Sequence, residues 1–339
     1  MAVLVVEPEV LGANEASLNA LLENVAGEPV LVVARGNWEN LDAPSASTGA
    51  QSLPAIVIGV GRGSVLSKIC DLWTESDVQA KAWQAGFEQS PVAAWTAAML
   101  LRDQPVSVWG GIVNESTAYS TLLSGEYFKK WRADNPKRTS EIESENLVEV
   151  EVRAGIRIIT LNRPLRHNAI TPELRDSLYA ALAQALLETE PVVLRGHGPS
   201  FCSGGDLDTF GSAPDPAWAH IIRTTRSLAW ITHLLAPRLV VALHGACLGA
   251  GVEIPLFAHQ VIAADNTRIG LPELQFGLIP GAGGTVSISQ RAGAHRVLEL
   301  LLDGTAIDAD KARSWGLVEE VVPESDLENR VIRIAEAKK

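Results

Sequence analysis

Between residues 192 and 285, short apolar runs repeatedly give way to loops of small residues and then to segments with helix signals. GHGPSFCSGGDLDTF (196–210) follows the apolar run 192–194, HGACLGAGVEIP (244–255) follows 239–243, and IGLPELQFGLIPGAGGT (269–285) leads into a further helix. Buried strand, loop and helix in that order restrict the chain to a layered α/β arrangement. Small residues at such junctions let a ligand approach the backbone and leave the first helical N–H groups unpaired. Two loops of this kind facing each other put two amide donors on one carbonyl oxygen, the geometry that stabilises an enolate or tetrahedral oxyanion.

The elements around these loops follow from local pattern. LVEVEVRAGIRIITLNRP (147–164) alternates as a half-buried hairpin with Ala154 and Gly155 at its turn, and Thr171 followed by Pro172 and Glu173 opens a helix. The polar run 132–147 reads as a connector between an N-terminal region, 1–140, and a second domain, 147–339. The N-terminal region holds two β-rich runs, 30–34 and 55–60, then two helices over 77–102 that meet at Ser90 and Pro91. GVGRGS (59–64) lacks the GxGxxG spacing and reads as a turn. Residues 15–36 share a helix-then-strand pattern with 177–196, too generic to establish duplication.

Composition removes several classes. With 47% hydrophobic and 20% charged residues the chain has material for one large core or two smaller ones. A formal charge of −12 disfavours nucleic acid as a partner. Cys70, Cys202 and Cys247 are widely spaced, with no CxxC and no adjoining histidine cluster, so neither a disulfide framework nor a metal site is expected. The apolar stretch 239–264 contains His244, Glu253 and Pro255 and reads as core, so no membrane partner is expected. The opening MAVLVVEPEVLGANE has no basic n-region, and a reducing cytoplasm is the expected location.

Each candidate side chain has a plain alternative role. Glu253 and Glu273 suit first helical turns through the macrodipole, although a carboxylate in the apolar surroundings of Glu253 is expensive without a task. Asp206 suits a helix cap, and His244 suits a packed position near a strand end. Cys202 and Ser203 have no His–acid frame that would make them nucleophiles.

Taken together, SFCSGGDL, VVALHGACLGAGVEI, LPELQFGLIPGAGGT and LLDGTAIDADKARSWGLVEEVVP resemble the enoyl-CoA hydratase/isomerase (crotonase) family, in order and with ordinary gaps, over about 147–325. The resemblance implies a crotonase-like α/β fold, ββα units in a spiral, with an N-terminal α/β or helical region added. It implies that the amides of Gly205 and Ala250 form the oxyanion hole and that Glu253 and Glu273, 20 residues apart, are the catalytic pair. Substrate-binding roles are implied for Arg166, Ala169, Ser203, Asp206, Leu207 and Gly281, with Arg166 and Ala169 beside coenzyme A. The partner is then an acyl-CoA substrate. No separate cofactor and no metal are expected, and the chain is expected to be a homo-oligomer, a trimer or hexamer.

Retention of both glutamates favours hydration of a 2-enoyl-CoA. The alternatives are an isomerase or other enolate chemistry on acyl-CoA, and a non-catalytic CoA-binding protein. The chain departs from the family's pattern at Pro255, just after Glu253, and at His259, where an Asp is usual. The family's C-terminal helical segment has no counterpart after the VVP run, whereas residues 77–138 are similar to it. The N-terminal region is therefore expected to supply, in permuted order, the helices that close the site, against the alternative of an unrelated accessory domain. Phe210, Trp218 and Trp230 are placed where they either contact a bulky acyl group or pack in the core, and the acyl group itself is not specified.

Overall fold

A computed structural model of the chain describes residues 1–11, 22–23, 25–39, 53–103, 107–138 and 146–338. Four parallel strands come first, hydrogen-bonded in chain order: β1 (Ala2–Val6), β2 (Val30–Arg35), β3 (Ile56–Val60) and β4 (Leu72–Thr74). The Val/Ile-rich β2 and β3 lie between covered faces, which is why they read as continuous apolar runs. The flanking β4, three residues long, left little signal in the sequence, whereas β1, AVLVV, is a short β-branched run. The helix expected within 15–36 falls largely outside the described residues.

Four helices follow: α1 (Asp77–Gln89), α2 (Pro91–Arg102), α3 (Val108–Leu123) and α4 (Glu126–Asp134). Ser76 caps α1 by accepting from the Gln79 N–H, Pro91 ends α1 and begins α2, and Ser107 caps α3 through the Gly110 N–H. Helix α4 extends to Asp134, so the polar run begins as helix rather than connector. Its last turn is amphipathic: Trp131 and half-buried Arg132 pack inward while Asp134 faces outward.

The C-terminal part opens with the expected hairpin, β5 (Val148–Arg153) and β6 (Ile156–Leu161), turned by Ala154 and Gly155 at positive φ. With β7 (Val192–Gly196), β8 (Leu239–Leu243), β10 (Gln260–Ala264) and β13 (Glu320–Val322) it forms a six-stranded sheet ordered β13-β10-β8-β7-β6-β5. A second sheet joins β9 (Ala246–Leu248), β11 (Arg268–Gly270) and β12 (Ile307–Asp308). Strands β8 and β10 are each followed by a short strand of the second sheet, and the backbone of Cys202, after β7, pairs in parallel with that of Cys247 in β9, both thiols being free. This repetition is the spiral of ββα units.

The two parts share one core. Leu31, Val33, Ile56 and Ile58 of the first sheet belong to the same buried cluster as Trp83, Phe87, Ala97, Leu298 and Leu301. Phe87 is fully buried, a burial worth about 1.5–3 kcal/mol. Helix α1 crosses Ala294–Asp303 so closely that a Cβ on Gly86 would stand 2.1 Å from the Leu302 carbonyl oxygen.

Two local expectations are corrected. Glu253 sits in a four-residue helix, Ala250–Glu253, that passes at once into a 3-10 turn, Pro255–Phe257, because Pro255 has no N–H to continue the ladder. Trp218 is neither core nor cavity wall but 53% exposed, since its helix, Pro216–Thr225, turns that face outward. Trp230 packs edge-on against Trp109 of α3, with ring centroids 5.4 Å apart.

Candidate active site

A cavity of about 990 Å³ is lined by α3, by Arg138 and by loops of residues 165–283. Glu253, Glu273, Gly205, Ala250, Arg166, Ala169, Ser203, Asp206, Leu207 and Gly281 all line it, and so does Phe210. These residues come from four separate loops, which the sheets bring side by side. Gly204, at φ +98°, lies against the Leu248 carbonyl, and its missing Cβ would stand 3.8 Å from the Ala250 nitrogen. The Ile170 N–H donates to Gly204 O and the Asp206 N–H to Ile170 O, leaving the Gly205 amide out of the ladder. Neither the Gly205 nor the Ala250 N–H donates to another described residue, and both residues are only half-buried. Two free amide donors on adjoining loops are thus presented to the cavity.

The carboxyls converge beside Gly249. That residue has φ +49°, and a Cβ there would stand 2.6 Å from Glu273 Oε1 and 3.8 Å from Glu253 Oε1. Both the backbone angle and the space require glycine. Glu253 is 2% exposed, and its Oε2 accepts from the Ala282 and Gly284 N–H groups at 2.7 and 2.9 Å. These donors sit at the start of the nine-residue helix Gly284–Ala292, where the partial positive charge favours an anion. Glu273 opens a 3-10 turn, Glu273–Phe276, and its buried Oε2 has no partner among the described residues. An unpaired buried carboxyl oxygen costs about 1–3 kcal/mol, a cost typical of a group kept for a ligand.

A third carboxyl was not anticipated. Glu115 of α3 is 1% exposed, and its oxygens accept from Gly283 N at 2.6 Å, Thr285 N at 2.8 Å and Thr285 Oγ1 at 2.7 Å. Glu115 and Glu253 therefore grip alternate N–H groups of one turn, 282–285. Burial raises the pKa of all three carboxyls. For Glu253 the charges of Glu115 and Glu273 add to that rise, against the two amides that hold its oxygen. Glu273 is pushed up to about 8 by burial, with Glu115 adding to the effect. Glu115 rises to about 7, opposed by Thr285 and Gly283. Around neutral pH the cluster retains protons, so acid and base forms coexist in it.

The other candidates are tied into the wall. Asp206 accepts from the Asp208 N–H, capping the 3-10 turn Leu207–Thr209, and pairs with Arg163 at 2.7 Å while 4% exposed. Arg166 lies 2.9 Å from Asp208 and 3.7 Å from Asp206, so its charge is already shared. The Ser203 N–H donates to His167 O. His244 is packed, with Nε2 2.9 Å from Gly198 O. Burial pushes the Cys202 thiol up to about 12, which leaves it inert as a nucleophile.

The N-terminal helices close the cavity. Tyr119 of α3 fills the space a side chain on Gly281 would need, its ring carbon 2.6 Å from that Cβ position. Phe128 and Trp131 of α4 stack on each other and reach Phe276, which meets Phe210 edge-on. Arg132 donates to Leu207 O, and Arg138 lies 3.2 Å from Asp208. One signal for Glu115 was visible in the sequence: it is the only charged residue from 104 to 125.

The enoyl-CoA hydratase/isomerase family model matches residues 151–338, and the chain belongs to that family. A curated relative, a mevalonyl-coenzyme A hydratase from Beauveria bassiana, is 35% identical over 184 residues, 49% of this chain and 63% of that protein. The match thus spans less than two thirds of that relative's length. Among solved structures, an enoyl-CoA hydratase from Bacillus anthracis is 32% identical with a TM-score of 0.51, covering 57% of this chain and 76% of its own. One from Thermoplasma volcanium is 31% identical with a TM-score of 0.51, covering 56% and 77%. Among the described residues no helix is long and apolar enough to cross a membrane.

Proposed function

We propose that the protein adds water across the C2–C3 double bond of a 2-enoyl-CoA. The observation that carries this reading is the approach of Glu253 Oε1 and Glu273 Oε1 to one point beside Gly249, next to the unpaired Ala250 N–H. The thioester carbonyl accepts from the Gly205 and Ala250 amides. Glu253, with Oε2 fixed by two N–H groups, orients a water and takes its proton as the oxygen bonds to C3. The π electrons move toward C2 and the thioester oxygen, where the two amides stabilise the enolate. Glu273, its raised pKa keeping a proton at neutral pH, delivers that proton to C2. Coenzyme A enters as part of the substrate, and no metal or separate cofactor takes part. The hydratase name of the curated relative supports hydration over isomerisation.

In the same reading α1 to α4 do the work of the family's C-terminal helical segment. Glu115 on the turn that holds Glu253, Tyr119 on Gly281 and the aromatic packing of α4 support this against an unrelated accessory domain. The working form is a cytoplasmic homo-oligomer, a trimer or hexamer.

The test is loss of the enoyl-thioester absorbance of crotonyl-CoA. Glu253→Gln and Glu273→Gln should each lower turnover by about 10²–10⁴-fold while leaving the unfolding midpoint near that of the parent. If Glu253→Gln abolishes hydration yet retains double-bond migration, the isomerase assignment replaces this one. Absence of turnover on short and long enoyl-CoAs alike revives the non-catalytic one.

A further inference from the structure

Ile112, Ser116, Tyr119 and Leu123 line the cavity from successive turns of α3. They order it lengthwise. Beyond Leu123 the chain passes through α4 to Arg138, which with Arg166 flanks Asp208 at one end. Tyr119 packs on Gly281, next to the Ala282 amide that holds Glu253. Ser116 lies three residues before Tyr119, about 4.5 Å along the axis of α3 toward its start and away from its junction with α4.

At that depth Arg223, from helix Pro216–Thr225, lines the wall. Its Nε donates to Ser116 Oγ at 3.0 Å, its Nη2 donates to Ser116 O at 3.1 Å and to Ser120 Oγ, and its guanidinium lies 4.6 Å from the centre of the Tyr119 ring. Every acceptor is neutral. Among the described residues no carboxylate lies within 4.0 Å of this cation, whereas Arg102, Arg157, Arg163 and Arg291 each have one. Glu115, whose charge Arg223 feels, spends its oxygens on Gly283 and Thr285. Nη1 donates to no described residue, and the Tyr119 hydroxyl has no hydrogen-bond partner there either. A half-buried guanidinium with no carboxylate in contact is costly, and its planar fork matches a carboxylate.

We propose that Arg223 and the Tyr119 hydroxyl form a subsite for a carboxylate at the far end of the acyl chain, so that the preferred substrate is the mono-CoA thioester of a dicarboxylic acid. This rests on the acyl-CoA reading above and names its substrate class. The competing account is that Arg223 only ties its helix to α3 through Ser116 and Ser120.

Calorimetric binding of saturated thioesters to the full chain separates the two without requiring turnover. Succinyl-, glutaryl- and adipyl-CoA would each be compared with its own methyl ester. At least one acid should bind about tenfold or more tightly than its ester. In Arg223→Gln the acid-to-ester ratio should fall to near one, and Arg223→Lys should keep an intermediate ratio. Equal binding of acid and ester by the parent protein, or a ratio unmoved in both variants, overturns the proposal. Should Arg223→Gln fail to fold, the parent ratio and Arg223→Lys still decide it. Hydration of crotonyl-CoA is scored separately, so failure of the hydratase reading and failure of the subsite give different results.

Discussion

Replacing Glu115 by Gln would ask whether a side chain from the N-terminal helices governs the chemistry of the two glutamates that line the cavity. The carboxylate accepts three hydrogen bonds, from two backbone N–H groups and one hydroxyl of residues 283–285. A glutamine keeps the shape but has one acceptor oxygen and one NH₂ group. With its oxygen on Thr285, its NH₂ faces the Gly283 N–H, donor against donor. One buried amide is then left unpaired, at a cost of about 1–3 kcal/mol, partly offset because a carboxyl no longer has to be buried. The same substitution removes a negative neighbour that helps raise the pKa values of Glu253 and Glu273. The sign follows: without that charge both carboxyls ionise more readily, so the last shared proton leaves at lower pH. For the parent, kcat/KM should fall as pH rises through about 8, the value for Glu273. In Glu115→Gln this alkaline limb should move down by a few tenths to about one pH unit. Urea unfolding gives the stability term, and a pH–rate profile gives the electrostatic one. If the variant unfolds at the parent's midpoint and its alkaline limb does not move, Glu115 neither braces the turn nor acts on the glutamates, and the reasoning fails.

Gly249→Ala should fold but lose most activity, about 10²-fold or more, because its Cβ would occupy the space 2.6 Å from Glu273 Oε1; near-parent kcat would contradict the geometry. Asp206→Ala removes the carboxylate 2.7 Å from Arg163, which is 8% exposed, and should lower unfolding free energy by about 3–5 kcal/mol in denaturant titration. Gly86→Val should separate α1 from Ala294–Asp303, since even a Cβ would meet the Leu302 carbonyl at 2.1 Å; its readout is increased proteolysis at the domain junction with loss of turnover. The three raised carboxyl pKa values also make a stability statement. Protonation favours the folded form, so their contribution is full below the ordinary carboxylate value and is lost as pH rises through the raised ones. Parent unfolding midpoints should therefore decline from about pH 5 to pH 8 more steeply than those of Glu115→Gln.

Alternation in 147–164, the cap at Thr171 and the glycines after β7 and β8 are local signals, and local physics was enough to place the hairpin, the helix Pro172–Leu186 and the loops that carry Gly205 and Ala250. Pro91 likewise fixes where two helices meet, because a ring without an N–H can only begin one. The family resemblance rests on such short runs. Strand β4, three residues long, left no comparable trace: its burial depends on neighbours that only pairing supplies. The same holds for the partnership of Glu115 with Gly283 and Thr285, residues 168 and 170 positions away. Nothing local marks which surface a lone acidic residue on a helix will face. The amino-acid order therefore determined which segments turn, cap and expose their amides. Tertiary packing alone decided that two carboxyls and a guanidinium share one cavity, with a third carboxyl bracing its wall from behind, because charge, burial and pKa belong to the assembled surroundings rather than to a residue's place in the chain.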